Sequence, residues 1–154
     1  MSGDGIKTVS KNRKAFHDYF IEERFEAGIE LSGTEVKSIR QGTVNLRDSY
    51  CTVKDGELFV RGLHISPYEK GNIFNLDPTR VRKLLMHKRE INRLASRVQL
   101  DGYALIPLSI YLKGPNVKVE ISLAKGKKLY DKRESEKSRD ADREMDKTIK
   151  ERNR

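Results

Sequence analysis

A single cysteine, Cys51, stands among 154 residues, so no internal disulfide can brace the chain. Its setting, Ser49-Tyr50-Cys51-Thr52-Val53, is strand-like, and a buried thiol is the expected role. No apolar run approaches the roughly 18 residues that a helix needs to cross a bilayer. Residues 1–14 lack the apolar middle of a signal peptide, so the chain is expected in the cytoplasm and not in a membrane. The three histidines, His17, His64 and His87, share no metal-ligand spacing with Cys51 or with each other, which leaves a zinc site unsupported. There is no Walker lysine loop, no Gly-x-Ser-x-Gly, and no Gly-x-Gly-x-x-Gly ahead of a helix. Glu22 and Glu23 are adjacent carboxylates, but neighbours on a strand face opposite ways, which denies them paired acid and base roles. These absences argue against an enzyme and against any cofactor.

What is present is charge. Lys and Arg number 32 against 23 Asp and Glu, a net of +9 with a pI near 9.7, so a polyanion is the first partner to consider. Nucleic acid, a membrane surface and plain solubility all remain compatible with that balance. The hydrophobic fraction of 36% fills one modest core, hence one domain.

Residues 19–42 organise the chain. Phe25, Ala27, Ile29 and Leu31 keep a period of two, and the aromatic and β-branched content favours a half-buried strand. The run at 22–24 and Gly28 predict a bend or bulge. Ser32-Gly33-Thr34 breaks the strand, and Val36 and Ile39, with Lys37 and Arg40 between and after them, suit a short amphipathic helix closed by Gly42. Ahead of this stretch, residues 1–14 are polar and become basic at Lys11, Arg13 and Lys14, which predicts a flexible arm. Residues 45–53 and 57–65 alternate around Asp55-Gly56, a strong hairpin signal. Residues 66–77 lack periodicity and read as a long loop.

Asp77-Pro78 has the form of a helix start, and Val81, Leu84 and Leu85, then Ile91, Leu94, Ala95 and Val98, predict two helices that break near His87. Residues 80–97 hold seven Lys or Arg and one acid, Glu90: a phosphate-attracting face or an ordinary solvated one. After Asp101-Gly102, residues 103–112 and 117–123 are strands, with Pro107 marking an edge or bulge. In the last strand Val117, Val119, Ile121 and Leu123 point one way and Lys118, Glu120 and Ser122 the other. Five strands, helices and short hairpins predict a mainly β fold with flanking helices, a small OB-type barrel over residues 15–129; other α+β sheets are the alternative. Tyr19, Phe20, Tyr50, Phe59 and Tyr103 serve either the core or base stacking. Residues 130–154 form a tail with pairs such as Glu134 with Lys137 and Asp140 with Arg143, expected to be disordered when free and helical on a partner. Tyr130 stands in that tail with no core to join, which favours a base or a partner as its contact.

Four ordered motifs resemble one family. They are Asn12-Arg13-Lys14-Ala15-Phe16-His17-Asp18-Tyr19 running on to Phe25-Glu26-Ala27-Gly28; Gly33-Thr34-Glu35-Val36-Lys37-Ser38-Ile39-Arg40; Asp77-Pro78-Thr79-Arg80 with Leu84-Leu85; and Ala124-Lys125-Gly126-Lys127-Lys128-Leu129-Tyr130-Asp131-Lys132-Arg133. From about Asn12 onward the chain resembles the SsrA-binding protein (small protein B) family of bacteria. The resemblance implies a non-enzymatic OB-type protein that binds transfer-messenger RNA (tmRNA) and takes it to stalled ribosomes for trans-translation. In that scheme it completes the tRNA-like domain in place of an anticodon arm. Its tail enters the empty message channel at the small-subunit decoding region and becomes helical there. Elongation factor Tu and alanyl-tRNA synthetase join through the tmRNA complex.

The resemblance places Glu26, Leu85, His87, Lys118 and Lys128 on or near the RNA-facing side. Asn12, Arg13, Tyr19, Lys37, Arg40 and Lys125, from the same motifs, complete the expected RNA-binding set. Tyr130, Asp131, Lys132 and Arg133 form the expected ribosome-binding part of the tail. Glu26 is an acid among basic residues: either an acceptor for a base amino group or 2′-hydroxyl, or one half of a structural ion pair. Two rivals stay open: a general single-strand nucleic-acid binder on the same barrel, and a basic protein-interaction module.

Overall fold

The computed structural model describes residues 5–68 and 76–127. Strand β1 (Ile6–Lys11) leads into helix α1 (Arg13–Asp18), long strand β2 (Tyr19–Ile29) and helix α2 (Gly33–Arg40). Then come β3 (Val44–Asn45), β4 (Tyr50–Lys54), β5 (Glu57–Arg61), β6 (His64–Ile65), β7 (Arg82–Leu85), helix α3 (Lys88–Asp101), β8 (Ala104–Lys113) and β9 (Asn116–Gly126). The main sheet runs β1-β8-β4-β5-β7-β2-β9, and β9 also pairs with β8, so six strands close on themselves while β1 lies along the remaining length of β8. The ring is irregular, because β4 meets β8 through one register pair, Cys51 with Leu105. Fold class follows expectation: mainly β, flanked by helices.

Ala27, Leu58, Val60, Leu84, Ile110, Val119, Ile121 and Leu123 fill the interior, with Ile91 and Leu94 of α3 joining them. A smaller cluster lies on the outside, where Ala15 of α1 packs on Ile106, Leu108 and Ala124. That cover explains why Ser122, on the outward side of β9, is fully buried and donates its hydroxyl to the Ile106 carbonyl at 2.9 Å.

Local chemistry sets the boundaries. Ser32 caps α2 in a reciprocal box: its hydroxyl accepts from the Glu35 N–H, while its own N–H donates to the Glu35 carboxylate. Asp55 and Gly56 both have positive φ, as a two-residue hairpin turn between Lys54 and Glu57 requires. The expected strands 45–53 and 57–65 are each split. The chain turns at Asp48 (φ 64°) and Gly62 (φ 76°), which lie against each other, and the outer pieces pair separately as β3 with β6.

Two expectations are corrected. The flexible arm over 1–14 fails for its described part, since residues 6–11 are a strand on β8 and Asn12 caps α1. The helix expected from Asp77-Pro78 to His87 is also absent. Asp77 accepts instead from the Thr79 N–H and hydroxyl in a tight turn, and 82–85 form β7. Val81, Leu84 and Leu85 satisfied a helical spacing, but closing the ring needs a strand between β5 and β2, and tertiary pairing overrides so short a pattern. Of the two expected helices the second is present as α3, with His87 the residue before it. The anticipated bulge lies at 21–23, and Pro107 adjoins another between 107 and 109. Tail residues 130–154 fall outside the described residues, as does most of the loop expected over 66–77.

Candidate nucleic-acid interface

Register partners in a sheet share a face, and four neighbouring strands bring one line of residues together. Leu85 of β7 pairs with Gly28 of β2, Gly28 with Lys118 of β9, Lys118 with Tyr111 of β8, and Tyr111 with Thr8 of β1. The next outward line, two residues along, is Glu26, Glu120 and Ser109. Leu85 is 47% exposed, a large apolar side chain left in solvent at the end of the first line. Beside it Gly28 presents bare backbone. A Cβ there would stand 3.3 Å from the Leu85 Cβ and press on that residue. Leucine, glycine and lysine in register thus offer an apolar edge, a shallow floor and a cation.

Glu26 lies at the centre of the local electrostatics. The Tyr111 hydroxyl donates to its Oε2 at 2.5 Å, and the Lys113 ammonium approaches Oε1 at 3.4 Å. The Tyr111 hydrogen bond, with help from Lys113 and Lys118, holds the carboxyl below the usual range despite partial desolvation. Burial and the Glu26 charge push the Tyr111 hydroxyl up in turn. Glu120 has its own cation, Arg24 at 3.9 Å. Both readings of Glu26 therefore have support, since it is paired yet its side chain is 38% exposed.

A second aromatic and basic group sits at the other end of β2 and β9, where Phe20, Glu22, Tyr103 and Lys125 line a cleft. Arg97 and Lys125 each lie 4.7 Å from the Tyr103 ring, and Lys127 lies 5.3 Å from the Phe20 ring. These rings already carry protein cations.

The expected site residues divide accordingly. Glu26, Leu85 and Lys118 share the outer face of the β7-β2-β9-β8 strands, and His87 lies exposed two residues past Leu85. Arg40 reaches the Pro115 carbonyl at 3.4 Å, at the tip of the β8–β9 hairpin, while Lys37 covers the Tyr68 ring. Arg13 is exposed on α1, and Tyr19 packs half-buried on the outer cluster. Lys125 belongs to the cleft at the far end. Asn12 is corrected: it is 4% exposed, its amide donates to the Pro107 carbonyl, and its Oδ1 accepts from the Ala15 N–H, so it anchors α1. Lys128, Tyr130, Asp131, Lys132 and Arg133 fall outside the described residues.

The basic run at 80–97 is largely spent inside the protein. Arg80 and Arg82 bind Glu35, Lys83 binds Glu57, and Arg93 and Arg97 bind Glu23. Glu23 is held below the usual range mainly by the Arg93 hydrogen bond. Of the five aromatics weighed for stacking, Phe20 and Tyr50 are the exposed ones, and they stand on β2 and β4, which are not neighbours. A general single-strand binder needs a continuous stacking face, and these strands do not supply one. Burial raises the Cys51 thiol well above its ordinary value, as its strand setting implied. Among the described residues no cluster of His, Cys, Asp and Glu could hold a metal ion, and no helix is long and apolar enough to cross a membrane.

Sequence reasoning missed Tyr111 and Lys113. The signal was present in the hairpin: a two-residue turn at Gly114-Pro115 pairs Lys113 with Asn116 and therefore Tyr111 with Lys118.

The chain matches the family model described as "SmpB protein" over residues 9–151. A protein of Caldicellulosiruptor saccharolyticus named "SsrA-binding protein" is 65% identical over 148 residues, covering 96% of this chain and 94% of that one. A "SsrA-binding protein" of Clostridium botulinum is 62% identical over 150 residues, covering 97% and 96%. A solved structure described as "tmRNA-SmpB: a journey to the center of the bacterial ribosome" superposes with a TM-score of 0.69 at 49% identity, covering 87% of this chain and 94% of that one.

Proposed function

The chain belongs to the SmpB protein family, and from that premise we propose that it binds tmRNA and carries it to stalled ribosomes for trans-translation. The observation that supports the binding surface best is the line Leu85–Gly28–Lys118 with Glu26 beside it, on one open strand face. A folded RNA elbow is gripped by shape, through phosphates, sugars and splayed bases, and not through a groove code. Lys118 and Lys113 supply charge to phosphates, Leu85 and the bare backbone of Gly28 accept the flat face of a sugar or base, and Glu26 accepts a hydrogen bond. Arg13, Lys37, Arg40 and His87 extend the contact around this face. In this reading the protein fills the place of the missing anticodon arm of the tRNA-like domain.

The tail acts elsewhere. Along β9, Lys118 and Gly126 are about 26 Å apart at roughly 3.3 Å per residue. The described chain thus leaves β9 at Gly126, at the end away from the Leu85–Gly28–Lys118 line. From there Tyr130, Asp131, Lys132 and Arg133 reach the decoding region of the small subunit, and the residues beyond enter the message channel. Elongation factor Tu and alanyl-tRNA synthetase act on the RNA and meet the protein through it, in the cytoplasm.

Lys118→Ala tests the surface. Titration with the tRNA-like RNA at several salt concentrations is expected to show weaker binding and a salt slope shallower by about 1, the signature of one lost phosphate contact. An unchanged slope would take Lys118 off the phosphates.

A further inference from the structure

We infer that Tyr111 is a positioning residue for RNA recognition: its hydroxyl fixes the Glu26 carboxylate so that the remaining oxygen meets a hydrogen-bond donor of the bound RNA. The inference rests on the proposed RNA-binding face and adds to it a residue that none of the four motifs contains. Tyr111 stands on β8 and Glu26 on β2, with β9 between them, so the phenol spans a whole strand to reach the carboxylate. The ring is not needed to join those strands, because β9 already pairs with β2 and with β8 along almost its full length. What the bond does is orient one acid on the outer face.

At 2.5 Å it is a short charge-assisted bond, and it occupies Oε2. Among the described residues, Oε1 is met by the Lys113 ammonium alone, at 3.4 Å. The Glu26 side chain is 38% exposed in the unbound protein. An ionised carboxylate is an acceptor only, and it repels phosphate. On an RNA-facing surface it can therefore serve only a donor, either a 2′-hydroxyl or a base amino group. Lys113 and Lys118 favour its ionised form and offset its repulsion of the surrounding phosphates, while Glu120 is occupied by Arg24.

The test is a double-mutant cycle on the full chain with the tRNA-like domain of tmRNA as ligand, comparing wild type, Tyr111→Phe, Glu26→Ala and the double variant. Tyr111→Phe is expected to weaken binding about fivefold, the worth of one ordinary net hydrogen bond. The salt slope should not move, since no cation is lost, and the substitution should cost nothing further when Glu26 is already alanine. The Glu26 carboxyl titration, followed by NMR, should shift up toward the ordinary range in Tyr111→Phe, a change that a purely structural role for the ring would not produce. Single 2′-deoxy substitutions across the RNA identify the donor. One position that cancels the Glu26 penalty names a hydroxyl, and persistence at all of them names a base amine. If Tyr111→Phe leaves affinity unchanged, or costs the same factor with and without Glu26, the positioning role is overturned. Failure of the wild-type chain to bind this RNA would strike the functional reading instead.

Discussion

Replacing Glu35 with alanine is expected to cost about 3–5 kcal/mol of stability and to lower the melting temperature by about 10 °C, because it leaves a buried guanidinium unpaired. Arg82 has a fully buried side chain, and Glu35 is its anionic partner at 2.8 Å. Arg80 closes the triad with bonds of 2.6 and 2.9 Å to the two carboxylate oxygens. Arg82 also donates to the carbonyls of Leu63 and Pro78, so the cluster joins α2 to the segments on either side of β6 and to the start of β7. A loss of this size is a large part of the roughly 5–15 kcal/mol that holds a typical domain. Glu35→Gln keeps one acceptor oxygen for the Ser32 N–H but removes the charge and puts an NH2 donor in place of the oxygen that receives Arg80 and Arg82, so most of the alanine cost should remain.

The same carboxylate makes the fold acid-sensitive. Burial works against its ionisation, but the bonds from Arg80, the Ser32 N–H and Arg82 prevail and hold its pKa below the ordinary value. For Arg82 burial disfavours the charge and Glu35 restores it, and a guanidinium stays protonated throughout the pH range of the fold. A depressed folded-state pKa means that the stabilisation is complete above the unfolded value, about 4.3, and fades as pH falls through the lower folded value. Thermal melts from pH 7 to pH 3 should therefore show the gap between wild type and Glu35→Ala narrowing below about pH 4. A constant gap across that range, or a melting temperature within a degree or two of wild type at pH 7, would mean that the triad is not what holds this corner.

Deleting residues 130–154 is expected to abolish ribosome rescue while leaving the affinity for the tRNA-like RNA nearly unchanged. The segment holds nine basic and eight acidic side chains. Of the chain's net +9, removing that +1 leaves +8 on residues 1–129. Long-range attraction to RNA should thus survive the deletion almost whole. What is lost is the part assigned to the decoding region and message channel, including Tyr130, Asp131, Lys132 and Arg133. Binding is read by titration at two salt concentrations, and rescue by release of a stalled ribosome in a reconstituted system. Equal loss of both activities would erase the division of labour between ring and tail.

The parts of the fold written locally were legible in the sequence. The alternation in β2 and β9, the Asp55-Gly56 turn, the Ser32 cap, and Gly102 as the left-handed stop of α3 each depend on residues a few positions apart. β7 was not legible, because Val81, Leu84 and Leu85 fit two periods, and only the gap between β5 and β2 chooses between them. β1 was hidden for a similar reason: Ile6–Lys11 is mostly exposed and polar, and the edge of β8 decides its conformation. The site shows the same split. Glu26, Leu85 and Lys118 entered through the resemblance, and no spacing within the chain would have put them on one face. Asn12 came from the same motif as Arg13, yet one is buried as a cap and the other is exposed, a difference set by the packing of α1 on β8. The positive run at 80–97 misled because its acidic partners, Glu23, Glu35 and Glu57, lie far away in sequence.

The outer face of β7, β2, β9 and β8 is the surface proposed to hold the tRNA-like domain of tmRNA. Backbone amide shifts of the full chain, recorded during titration with that RNA, would locate the contact residue by residue. The largest changes are expected at Glu26, Gly28, Leu85, Tyr111 and Lys118, with the exposed side of α3 little affected. Changes concentrated on α3, with these five amides unmoved at saturation, would contradict that placement.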